Sequence, residues 1–486
     1  MRAQWTAVVA AMLVVACLES LSPVTLPPGG SLASWEESHR PGSTAWDALL
    51  YGAADSLSGY GLPISLQQHD TLHIYIAAQR RPLSIEIYRL GWYNSVGGRL
   101  VSKHTNVHTV DQSPCSAPVP GPLVCTWSET DHFVVGSDWV PGVYIARFAD
   151  SLGRARAFPF VVRSDRAAAF TVVLSFATYQ AYNPWGGASL YGGPGATGQE
   201  SYANRAVKVS FARPFNDATF QGPFLGVDYL LVRWLERNAY DVNYITDYDF
   251  HLGGGVDPKS GWLFAGHSEY WTWPMWVRAN AARAHGINLG FLGGNDVYWV
   301  SRFETIPVNG ADAPVLVCYR DASRDPLGSV PGLATVLFRN PPNSTPENAL
   351  VGVMSDQPSL VKGWPVDLVV ADGADPLLVG TGLKTGEHIP TVAGWEADRI
   401  VDNGLTPAGI RVLFQSPFVS AQDSVTPGLM QATVYRWPGS GALVFASGEP
   451  GFSWGLETWR NWVARRPMEQ LLRNVLQAFA TSDSVR

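Results

Sequence analysis

The sequence predicts a two-part chain. An antiparallel β-sandwich of immunoglobulin-like type comes first, followed by a larger α/β domain on a mostly parallel sheet. Three observations predict it. Between residues 45 and 164, apolar and polar residues alternate. From residue 165 to 486 the pattern changes to continuous apolar runs separated by segments of helical period. And 486 residues exceed one ordinary core but suit two or three.

The N-terminus opens with "MRAQWTAVVAAMLVVAC". Its apolar run is too short to span a bilayer and suits the core of a secretory signal. Val14-Val15-Ala16 before Cys17 resembles a lipobox. Residues 1–17 are therefore expected to be a signal peptide. Cys17 would be lipidated and would tether an exported chain to the bacterial cell envelope; plain secretion is the alternative. Residues 18–44 are rich in Pro, Gly and Ser and read as a flexible linker.

In the sandwich, "TLHIYIA" places Leu72, Ile74 and Ile76 on one face, and "SIEIYRL" does the same with Ile85 and Ile87. "PGVYIARF" and "AFPFVVR" continue the period. Cys115 and Cys125 bracket a Pro/Gly-rich loop, and in an exported protein a disulfide between them is expected. Cys318, in "APVLVCYRD", reads as a buried thiol.

In the second domain, "AAAFTVVLSF" reads as a strand buried on both faces. Val227, Leu230, Leu231, Trp234 and Leu235 mark a helix face. "YDVNYIT" and "GWLFAG" read as strands, "MWVRANAARAHG" as a helix closed by Gly286, and "INLGFLGG" as a strand. "IRVLFQSPF", "ATVYRW" and "GALVFASG" supply further strands. A final helix has Met468, Leu471, Leu472, Val475, Leu476 and Phe479 on its apolar face.

Composition excludes some functions. A net charge of −7, with no basic stripe and no metal-ligand cysteine pair, gives no reason to expect nucleic acid. Homo-oligomerisation stays open. In an open α/β sheet, sites gather outside the carboxyl ends of the strands. That rule selects "ATYQAYNPWGGASLYGG", "GHSEYW" and Asn295-Asp296. Glu269 could bind a hard metal or act as a base, with His267 beside it. The competing reading makes Ser268 and Glu269 ordinary residues at a helix N-terminus. A nucleophile elbow at Ser268 would be a third reading, but it lacks defensible His and Asp partners. Asp247 and Asp249 in "TDYDFH" are better explained by helix capping. Glu269 and Glu396 could alternatively form the carboxylate pair of a glycosidase.

Several ordered segments together resemble one family. They are "YRLGWYNSVGGRLV", "TYQAYNPWGGASLY", "VKVSFARPF", "WLERNAYDVNYITDYDFH", "GHSEYWTWPMW", "NLGFLGGNDVYWVSRFE" and "GWEADR". The chain resembles the N,N-dimethylformamidase large (beta) subunit-like proteins, in particular their C-terminal domain. The resemblance implies a glutamine-amidotransferase-like, Rossmann-type α/β fold without the amidotransferase cysteine. It also implies an amidohydrolase with a mononuclear iron held by two tyrosines and a glutamate. By motif, that glutamate is Glu269. Tyr182 is the first tyrosine and Tyr191 is preferred over Tyr144 for the second. Phe215 in "ARPF" could not be a ligand. His267 and Glu396 would handle protons, and Asn295 would contact the substrate, an unknown small amide. The competing function is a non-catalytic cell-surface lipoprotein that binds a ligand or glycan in its aromatic cleft.

Overall fold

The computed structural model describes residues 24–48, 56–116, 121–194, 200–217 and 220–481. Cys17 and its signal segment lie outside them. The protein is mixed α/β, with several sheets and few helices.

Two sheets form the front of the molecule. Leu57–Leu62, Thr71–Ala78 and Asp131–Val134 make a three-stranded antiparallel sheet. Ser65–Leu66, Ala155–Val162, Gly142–Ala149, Leu83–Leu90 and Gly98–Val107 make a five-stranded one. Their alternating apolar residues meet in one core: Leu72, Ile74 and Ile76 from the first sheet pack with Ile85, Ile87 and Phe148 from the second. Each such buried side chain contributes roughly 1.5–3 kcal/mol. A disulfide joins Cys115 to Cys125. Cys318 is a buried free thiol.

The structure departs from the flexible linker expected over residues 18–44. From residue 24 the segment packs against the body, with a helix at Leu32–Ser38. Ser31 N–H donates to Ala239 O at 2.9 Å, and Asp241 N–H donates to Gly29 O at 2.8 Å. Buried Glu37 accepts from Tyr93 Oη at 2.6 Å and from Arg99 Nε at 2.8 Å. Those partners are 56 and 62 residues away, so local composition carries no trace of them.

The main sheet has seven strands. In spatial order they are Val242–Thr246, Phe170–Leu174, Gly261–Gly266, Asn288–Gly293, Leu443–Ala446, Pro427–Arg436 and Arg411–Val419. The first five run parallel and the last two pair antiparallel. Successive residues bury on opposite faces. Val172, Tyr244 and Leu263 pack with Leu231 and Leu235 of helix Tyr229–Arg237 and with Leu472 of helix Arg466–Thr481. Val173, Ile245 and Phe264 pack with Met275 and Ala279 of helix Trp273–Ala284. Burial on both faces is why these strands are apolar without interruption. The last helix buries the six apolar residues its period marked.

Candidate active site

Strand order reverses around Phe170–Leu174. The next strand in sequence, Val242–Thr246, lies on one side of it, and Gly261–Gly266 lies on the other. Segments leaving the strands at such a reversal diverge and open a crevice. Helix Phe176–Tyr182 leaves one of these strands, and His267–Ser268–Glu269 leaves the other. Gly266 makes the turn with φ +60°, where a Cβ would stand 2.0 Å from Asp228 Oδ1. Only glycine meets both requirements.

Four of the selected side chains converge there. Tyr191 Oη donates to both oxygens of Glu269, at 2.5 and 2.6 Å. The Tyr182 ring lies 4.3 Å from that of Tyr191, and its hydroxyl is 3.1 Å from His267 Nε2. His267 Nε2 also faces Glu269 Oε2 at 3.4 Å and Glu396 Oε2 at 3.3 Å. The other ring nitrogen, Nδ1, is held 2.7 Å from Gly294 O, which turns Nε2 towards the carboxylates. Glu396 opens the short strand Glu396–Arg399 and is hydrogen-bonded by the Asn295 side chain. Asn295 has φ 55° and donates its N–H to both oxygens of Asp398, at 3.1 and 2.9 Å. Glu396 Oε2 and Asn295 Oδ1 are buried without a hydrogen-bond partner.

Burial sets the electrostatics, and neighbours modify them. Burial pulls the His267 imidazole down, but Glu396, Glu269 and the Gly294 carbonyl outweigh it and lift the group to about 10. Burial pushes Glu269 up, yet His267, Arg320 and Tyr191 hold it below the ordinary carboxylate value. Glu396 is raised: its burial and the Glu269 charge exceed the pull of His267. Burial, with Glu269 adding to it, lifts both phenols well above the ordinary tyrosine range. One carboxylate is thus kept ionised beside a second that holds its proton more tightly.

The helix-terminus reading of "GHSEYW" does not hold. Strand Tyr270–Thr272 follows Glu269 and pairs with Trp299–Val308, and the helix begins only at Trp273 with Thr272 as its N-cap. The same strand removes the elbow proposed at Ser268, whose hydroxyl accepts from Trp271 Nε1 at 2.9 Å. Tyr144 lies in the front core and donates to Val140 O at 2.6 Å, away from Glu269. Thr246 and Asp249 form a capping box, as their spacing suggests. Phe215 packs among apolar side chains.

Sequence reasoning missed three contributors. The Arg320 guanidinium lies 4.0 Å from the Tyr191 ring centroid and hydrogen-bonds Tyr270 Oη. Its one signal is a charge just beyond the buried strand Ala311–Val317. Trp395 meets the His267 ring edge-on at 5.6 Å. Asp398, two residues after Glu396, shares its strand face, a period-two signal that was there to read.

A model of the family described as N,N-dimethylformamidase beta subunit-like, C-terminal, matches residues 84–465. The chain belongs to that family. The match begins inside the front sheets and ends just before the last helix, so this dimethylformamidase-like family spans both parts of the molecule. None of the curated proteins compared with it matches. At family level the chain is a dimethylformamidase-like hydrolase.

The family also hints at a metal. Among the described residues no group of three or more His, Cys, Asp or Glu is arranged to hold one. The set formed by Glu269, Tyr182 and Tyr191 is of another kind, one carboxylate and two phenols. An all-oxygen set suits a hard cation. The buried Asn295 Oδ1, which has no hydrogen-bond partner, is what a polar occupant would satisfy. The residues present fit such an ion.

Proposed function

We propose that this protein hydrolyses the C–N bond of an amide, with Glu269, Tyr182 and Tyr191 holding a mononuclear iron. The observation that carries the reading is the convergence of Tyr191, Tyr182 and His267 on Glu269. Such an ion supplies polarisation of the amide carbonyl and a bound water of lowered pKa. The remaining work falls to the chain. His267 is anchored by Gly294 and keeps Glu269 and Glu396 in register. Glu396, with its raised carboxyl beside the His267 imidazole, moves the proton. Water adds its hydroxyl to the carbonyl carbon and a proton to the nitrogen as the C–N bond breaks. The products are a carboxylic acid and an amine. Asn295 positions Glu396 through its side chain and faces the substrate. Glu269 and Glu396 each stand within 3.4 Å of His267 Nε2, a spacing that a carboxylate-pair glycosidase could also use.

The wider reading belongs to the same proposal. The parallel strand order and its reversal support a glutamine-amidotransferase-like, Rossmann-type domain, and the two packed front sheets support an immunoglobulin-like sandwich. The signal-like N-terminus supports export and a lipid anchor at Cys17. No helix among the described residues is long and apolar enough to cross a membrane. A tryptophan-lined cavity beside Tyr182 favours the second reading, ligand binding without turnover.

Elemental analysis tests the first reading. Purified protein is expected to hold about one iron per chain. Glu269→Ala is expected to lose the iron and the release of amine while keeping its melting transition. Folded wild-type protein that neither retains metal nor releases amine would sink it.

A further inference from the structure

A cavity of about 540 Å³ adjoins the site. Tyr182 is part of its wall and also contacts His267, and Trp395 is part of its wall and also packs against His267. The cavity therefore borders the oxygen cluster, with Tyr182 and Trp395 as the side chains common to both. Trp364, Trp454, Trp459 and Trp462 complete its aromatic lining. The Trp454 and Trp462 rings stack at 4.1 Å and 5°, and Trp364 stacks on Trp454 at 5.8 Å. Trp395 stands 5.6 Å from Trp364. Trp454 is covered by its neighbours, but half-exposed Trp364 and partly exposed Trp395 offer ring surface for offset-stacked or edge-on contact with another ring.

Size argues against a very small substrate. Pockets of roughly 300–1,000 Å³ hold drug-sized molecules, whereas a water occupies about 30 Å³ in the liquid. Dimethylformamide would leave most of this space and most of the tryptophan faces unused. Polarity narrows the class. The polar lining side chains are Tyr182, Gln221, Arg460 and Asn461, beside the indole N–H groups of the tryptophans. Arg460 already donates to Gln221 at 2.5 Å and pairs with Asp47. A sugar would bring many hydroxyls to a lining that is mostly apolar. Among the described residues no acidic side chain lines the cavity, so a cationic group finds no counter-charge.

We propose that the amide taken by this site carries a flat aromatic ring system, which seats in the tryptophan cavity beside Tyr182. The proposal rests on the hydrolase reading above and names its substrate class. The amide carbon lies at the Tyr182 end, and the ring lies against Trp364 and Trp395.

The test uses the full, iron-loaded chain with three amides: dimethylformamide, N-acetyl-2-naphthylamine and N-acetylglucosamine. The naphthyl amide is expected to exceed dimethylformamide in kcat/KM by about 100-fold, from the apolar area the ring buries. Trp364→Ala, at the half-exposed mouth, is expected to raise its KM about 10-fold, and Trp364→Phe to restore most of the affinity. Equal kcat/KM for the three, a preference for the sugar amide, or a Trp364→Ala loss confined to kcat would overturn the proposal. Binding of 2-naphthylamine, followed by tryptophan fluorescence, separates the two readings. Naphthylamine binding that Trp364→Ala abolishes, with no amide turned over, supports the aromatic cavity and overturns the hydrolase. Turnover of dimethylformamide without naphthylamine binding overturns the cavity proposal alone.

Discussion

Two regions of this molecule bury charge in opposite ways. Where the front sheets meet the main sheet's helices, cations and anions are matched. Arg89 reaches both oxygens of Glu236 at 2.7 and 3.1 Å and donates to Tyr93 at 2.9 Å, and Tyr93 passes the contact on to Glu37. At the strand reversal, carboxyls accumulate with few cations. Asp228 and Asp296 are each lifted to about 7 by burial, and Asp398 and Glu396 are also raised. His267 and Arg320 are the cations facing Glu269. Matched charges fix a geometry but have little left to offer a ligand. A crowded acidic cluster is held in place by the surrounding fold and keeps its capacity for protons and cations.

The contrast predicts where damage goes. Glu236→Ala leaves Arg89 buried and unpaired, and should cost about 3–5 kcal/mol of stability, read by chemical denaturation. If hydrolysis survives in the folded fraction, the matched region is structural only. Glu396→Gln should do the reverse. It should lower kcat about 10³-fold with little change in the denaturation midpoint. A variant with a lowered denaturation midpoint but normal turnover in its folded fraction would place Glu396 with the structural charges instead.

The smallest effects distinguish paired from unpaired acids by pH. Burial pushes Asp325 up, but Arg302, Thr335 and backbone N–H groups outweigh it and hold the group at about 2. Its contribution is complete above the unfolded value of 3.8 and is lost as pH falls through about 2. Asp325→Asn should therefore lose about 1 kcal/mol at pH 7, after solvent screening, and almost nothing at the acid end. Glu449 is the opposite case. Burial lifts it to about 8, against the N–H groups of Gly394 and Gly451. The folded protein keeps that proton longer than the unfolded chain, so stability falls as pH rises from 4.5 to about 8. Glu449→Gln should flatten that fall, seen as a melting temperature that varies less between those limits.

Much of the main sheet was legible because its strands are buried on both faces. Phe170–Leu174 and Gly261–Gly266 admit almost no polar residue, and the turn and helix signals between them are strong. The last helix was legible for the same reason, a dense apolar face. Strand Tyr270–Thr272 was not. "EYWTW" has no alternation of apolar and polar residues, and what makes Tyr270–Thr272 a strand is pairing with Trp299–Val308 further along the chain. Of the cluster, Glu269 and Tyr182 could be placed at strand ends from pattern alone, and family motifs then suggested their roles. Trp395 and Arg320 could not be placed, because each acts through a neighbour distant in sequence. The packed segment before residue 45 was hidden likewise: Glu37 looks like surface until Arg99 and Tyr93 arrive.

The strand reversal also makes the oxygen cluster a long-range product of the fold. Tyr191 and Glu269 are separated by 78 residues, and Tyr182 and His267 by 85. The intervening chain includes Val242–Thr246 and Gly261–Gly266, which join opposite sides of Phe170–Leu174. Both contacts depend on the pairing of Gly261–Gly266 with Phe170–Leu174. A cation bound there would mark a finished sheet, and it would act as a clasp drawing the two diverging segments together.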